Sequence, residues 1–148
     1  MRFSTVTRTI GVAISVIVVL VVSAAADAPP KPTRRVVATY FHRTVRCPTW
    51  KVGSSLEQAI KQSFARELSD GRLEWRMMDF QDPRNAALVS AFGINGPAFV
   101  IMDVDGGRVI GWKPAPKAWS LVGDEGAFSR YVEAEVRSVL GPLTPAAK

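Results

Sequence analysis

The chain holds a single cysteine, Cys47, and a single histidine, His42. They stand at the mouth of the apolar run Val36 to Phe41, separated by the short polar stretch Arg43-Thr44-Val45-Arg46, and Pro48 and Thr49 follow the thiol. A cysteine that ends a strand and opens a helix sits among unpaired backbone N–H groups. Those groups and the adjacent Arg46 favour the thiolate and lower its pKa from about 8.5. Cys47 is therefore the candidate nucleophile, and the competing reading is a partly buried, inert thiol. His42 is the candidate modulator, placed to polarise the thiol or carry its proton, or else a polar residue that closes the strand mouth. A dithiol couple would need a second cysteine at position 50, where this chain has Trp50. Without it a mixed disulfide has no internal route to resolution, so any redox cycle must borrow an external thiol.

Other chemistries find little support. One histidine and one cysteine make a poor metal site, and no metal is expected. Asp103-x-Asp105-Gly106-Gly107 lacks the downstream glutamate of a calcium loop and reads as a turn. Thr44-x-x-Cys47 brushes a peroxidase pattern, but Tyr40 stands where that pattern has proline. There is no Gly-x-Ser-x-Gly elbow and no flavin or nicotinamide fingerprint, so no cofactor is expected. Glu74, Asp79 and Asp82 form no defensible acid–base pair. The formal charge of +6 is unaccompanied by basic runs interleaved with aromatics, which argues against nucleic-acid binding.

The positioning elements follow from periodicity. Val36 to Phe41 reads as a buried strand. From Ser54, the stripe Leu56, Ile60, Phe64 and Leu68 predicts one amphipathic helix ending near Ser69-Asp70-Gly71. Leu73 to Phe80 reads as a second strand, and Asp82-Pro83 as a helix start that runs to Gly93. Ala98 to Asp103 is a third buried strand, Val104 to Gly107 a hairpin turn, and Arg108 to Trp112 the antiparallel return. Trp112 and Trp119 are expected to pin the intervening proline loop to the sheet edge. A last helix from about Asp124 turns Phe128, Tyr131, Val132, Val136, Val139 and Leu140 inward. This β-α-β-α-β-β-α order predicts a three-layer α/β/α domain on a four-stranded mixed sheet.

Outside the domain, Arg2 and Arg8 precede an apolar run from Ile10 to Val22, and Ala24-Ala25-Ala26 satisfies the small-x-small rule of a cleavage site. Residues 1–26 are thus read as a signal peptide or a retained N-terminal membrane anchor, with an exported, periplasmic or extracytoplasmic location. Lys31, Arg34 and Arg35 sit just beyond the apolar run and run against that direction of export. Residues 27–35 form a proline-rich basic tether, 36–141 the domain and 142–148 a tail.

The element order, with Cys47-Pro48 after the first strand and Gly96-Pro97 before the third, resembles the thioredoxin fold. That resemblance implies a cis-proline at Pro97, facing Cys47 across a groove for an extended substrate. The groove would comprise Pro48, Thr49, Trp50, Gly96 and Pro97, with Trp50, Tyr40 and Phe41 either packed away or left as an aromatic surface beside it. Phe41-His42-x-Thr44-x-Arg46-Cys47-Pro48-Thr49 is further similar to the signature of small exported thioredoxin-like proteins described as a nitrophenyl-compound nitroreductase subunit, which ends in a second cysteine instead of Trp50. The resemblance implies a redox scaffold without dithiol activity that serves as an interaction or accessory module. The alternative is a monothiol oxidoreductase acting through Cys47. The expected partner is a protein or peptide in the groove, together with a membrane if the leader is retained.

Overall fold

The computed structural model describes residues 32–44 and 50–141. The expected leader, most of the tether, residues 45–49 with Cys47, Pro48 and Thr49, and the tail at 142–148 lie outside the described residues.

Strand β1 (Arg34–His42) is the centre of the sheet. It pairs in parallel with β2 (Leu73–Asp79) and antiparallel with β3 (Ala98–Asp105), which in turn pairs antiparallel with β4 (Arg108–Pro114), in the order β2-β1-β3-β4. Because side chains alternate along a strand, β1 feeds two cores. Val36, Ala38 and Tyr40 pack with Leu56, Ile60 and Phe64 of one helical segment and Phe128, Val132 and Val136 of another. Val37 and Phe41 join Val100, Met102 and Val104 under Leu88, Val89 and Phe92 on the opposite face. Each large apolar side chain so enclosed contributes about 1.5–3 kcal/mol of transfer free energy. A four-stranded mixed sheet with helices on both faces is the expected thioredoxin-like architecture.

The helices are α1 (Trp50–Ser63), α2 (Ala65–Ser69), α3 (Ala86–Ala91), α4 (Ala118–Leu121) and α5 (Glu125–Leu140). Several boundaries differ from the sequence reading. The first strand begins at Arg34, ahead of the expected Val36, because Arg34 pairs with Asp103 at 2.7 Å and Arg35 with Glu74 at 3.1 Å across the neighbouring strands. The first helix begins at Trp50, not Ser54, and breaks at buried Phe64, whose backbone leaves the helical region (φ −132°, ψ 29°). Asp82 caps as expected, but the turn it starts (Pro83–Asn85) is 3₁₀ before α3 follows. The hairpin closes on Gly106 and Gly107, both at positive φ, where a Cβ would be strained. At the start of α5, Asp124 accepts a hydrogen bond from the Ala127 N–H at 2.9 Å, satisfying one of the unpaired donors there.

The two tryptophans behave differently from expectation. Trp119 packs against the α1/α5 core, its ring 6.3 Å from Tyr40. Trp112 does not pin the proline loop: it stacks at 4.8 Å on Phe92 and stays exposed, because β4 is an edge strand and α3 is too short to cover it.

Candidate functional site at the carboxyl end of the central strand

Parallel neighbours end at the same side of a sheet, and ligands of open α/β sheets gather outside those carboxyl ends. Here the register sets His42, the last residue of β1, beside Asp79, the last residue of β2. The Phe80 N–H donates to the His42 carbonyl at 3.0 Å and continues the ladder one step. On the other side Phe41 pairs with Ala98, so Pro97 enters β3 next to His42. Gly96 and Pro97 are half-buried there. The Gly96–Pro97 bond is trans, with no cis peptide among the described residues, which departs from the cis-proline implied by the resemblance. Trans is the ground state of an X–Pro bond.

The start of α1 is held at this same end by a close approach. A Cβ on Gly53 would lie 2.8 Å from Cε1 and 3.0 Å from Cδ1 of Tyr40, so only glycine lets the helix sit this low on β1. Tyr40 and Phe41 are wholly buried. The aromatic surface considered for these two beside the groove is therefore absent, because their strand is central and covered on both faces. Trp50 opens α1, and its side chain, like Cys47, Pro48 and Thr49, lies outside the described residues.

Asp79 organises the described polar groups. Its Oδ2 accepts from the Thr44 hydroxyl at 2.5 Å and its Oδ1 from the Gln81 N–H at 2.8 Å. Gln81 returns its side-chain carbonyl to the Thr44 N–H at 3.2 Å, and the Asn85 amide donates to the Asp79 carbonyl at 2.8 Å. The Thr44 hydroxyl, then the Gln81 amide, hold the Asp79 carboxyl below the usual aspartate range, with a smaller contribution from His42. His42 Nδ1 lies 2.8 Å from the Arg43 carbonyl, an acceptor only. The proton of the neutral ring therefore sits on Nδ1, and Nε2 keeps its lone pair as a possible base. Arg43 spreads over the Phe80 ring at 5.7 Å.

Of the expected site residues, the structure brings His42, Gly96, Pro97 and the start of α1 at Trp50 to one end of the sheet. Gln81 is absent from the sequence reading, and Asp79 enters it only as an acid with no acid–base partner. The signal available was topological: Asp79 ends the strand parallel to the one that ends at His42. Among the described residues no group of three or more histidine, cysteine or acidic side chains could hold a metal, and no helix is long and apolar enough to cross a membrane.

Neither a protein-family model nor a curated protein sequence matches the chain. Among solved structures it is similar to a cysteine-to-serine mutant of the Entamoeba histolytica thioredoxin, with 16% identity over 68% of this chain and 81% of that one and a TM-score of 0.40. It is also similar to the chloroplastic thioredoxin z, with 26% identity over 63% and 80% and a TM-score of 0.35. The fold assignment rests on strand order, register and helix placement.

Proposed function

We propose that this chain is an exported thioredoxin-like protein that has given up dithiol chemistry and keeps the sheet end around Cys47 and Pro97 to hold a protein or peptide partner. One observation carries the reading: the chain has a single cysteine, and Trp50 stands where a resolving cysteine would be. A thiolate without an internal partner can form a mixed disulfide but cannot release it unaided. The signature shared with the nitrophenyl-compound nitroreductase subunit proteins supports the placement of Cys47 and no more. Retention of the leader would tether the module to a membrane.

The alternative, a monothiol oxidoreductase working with an external thiol, draws on the Thr44–Asp79–Gln81 linkage. That linkage fixes Thr44, three residues before Cys47 in the sequence, which a bystander thiol does not need. Alkylation rate against pH, measured on the chain from Asp27 onward, separates the two. The interaction module predicts a slow thiol titrating near about 8.5, and a fast thiol titrating well below that value sinks it in favour of the monothiol enzyme. Trp50→Cys sharpens the comparison: acquired insulin reduction would show that the rest of the dithiol machinery survives, and its absence would show a groove rebuilt for binding.

A further inference from the structure

The outer edge of β4 is independent of that site. This strand has a sheet neighbour on one side only, so its outward N–H and C=O groups have no strand partner among the described residues. It also exposes large apolar side chains: Val109 is 40%, Ile110 57% and Trp112 44% accessible. Native edges are commonly guarded by charge, proline or a bulge. Here Lys113, Pro114 and the register shift at Asp103/Val104 are all present. A guarded edge has no need of three exposed apolar side chains, whereas a docking edge does.

Charge narrows the occupant. From Gly106 to Gly123 there is no acidic residue, while Arg108, Lys113 and Lys117 all fall in that stretch. Lys113 reaches Glu135 at 2.5 Å, but Arg108 has no acid within ion-pair distance among the described residues. A second copy would lay one cationic, acid-free strand against another. Burial of this edge in lipid would strip water from backbone groups that hydrocarbon cannot satisfy. An added strand satisfies them, and its alternate side chains would meet Val109 and Trp112 on one face of the sheet.

We infer that β4 is a docking strand for an extended acidic peptide segment of a partner protein, added at the sheet edge through backbone hydrogen bonds and held by carboxylates facing Arg108. The test is amide hydrogen exchange of the full chain with a peptide of alternating valine and glutamate, and with its valine–lysine counterpart. The glutamate peptide should slow exchange across residues 108–114, and the lysine peptide should not. Arg108→Gln, which removes the charge without setting a second acid opposite Asp105 in the β3–β4 register, should weaken the glutamate peptide roughly tenfold. The inference is overturned by unchanged exchange in β4, by equal protection from both peptides, or by protection confined to the Gly96–Pro97 end. Protection of β4 by vesicles of phosphatidylcholine and phosphatidylglycerol, with none from the glutamate peptide, would replace the peptide by a membrane and also overturn it.

Discussion

Among the described residues, Asp79 gathers more of the polar contacts at the sheet end than His42, Gly96 or Pro97, the expected site residues there. It has no catalytic spacing to other acids, yet the Thr44 hydroxyl and the Gln81 amide converge on it, and Thr44 stands three residues before Cys47 in the sequence. Since the Thr44 hydroxyl is the largest influence on its titration, Thr44→Val should move the Asp79 carboxyl upward, toward the ordinary value of about 3.9. A carboxyl-detected NMR titration reads this directly, and an unmoved Asp79 would mean that the Thr44 hydroxyl does not hold its carboxyl down. Asp79→Ala should in addition speed amide exchange at Thr44 and Gln81 several-fold. If the two substitutions act through one linkage, the double variant adds little to Asp79→Ala. The places of His42 and Pro97 at strand ends were legible in the sequence, because each is a distinctive residue type next to an apolar run. Asp79 was not, because an aspartate after a strand is common and only the parallel pairing makes it a neighbour of His42.

Glycine at position 53 shows why element boundaries were harder to read than element types. The helix is expected from Ser54 because the apolar stripe that marks it begins at Leu56, and that stripe says nothing of Gly53. In the structure it lies inside α1, where absence of a side chain lets the helix touch the Tyr40 ring. Gly53→Ala tests this with opposed effects. Alanine favours a helix by about 1 kcal/mol in intrinsic propensity. The added methyl, however, would meet a fully buried ring that is itself backed by Trp119, and such overpacking costs about 1–3 kcal/mol. The expected net outcome is a lower denaturation midpoint, and a stabilised variant would show that α1 can lift off β1 without cost. The break at Phe64 was illegible for a related reason. Leu56, Ile60, Phe64 and Leu68 keep one apolar stripe across it, and no glycine or proline marks it. The four-residue α4 is too short to show a period at all. By contrast, β1, β3 and α5 were read nearly to their ends, since each buries a long, regular apolar pattern against the sheet.

For the molecule as a whole, the perturbed groups determine how stability should vary with pH. Glu74 is held below the usual glutamate range, first by the Arg76 guanidinium and then, against the cost of burial, by Arg35. Asp79 and Asp82 are also lowered, Asp82 by the side chain and backbone of Arg84. A carboxyl lowered in the folded state binds protons more weakly there than in the unfolded chain. Its stabilisation is complete above the unfolded values of about 4 and is lost as pH falls through the lower folded values. Tyr131 has the reverse sign. Burial raises its phenol above about 10, so its contribution is present below that value and is lost as pH rises through the folded one. Urea denaturation across pH should thus give a plateau between about 5 and 9, with an acid limb owed to the carboxylates and a shallower alkaline limb. Glu74→Gln assigns part of the acid limb. It removes the charge that joins β1 to β2 through Arg35, so the variant should be less stable on the plateau and converge with the parent as pH drops below the folded carboxylate values. Parallel curves at every pH would show that Glu74 acts through packing alone.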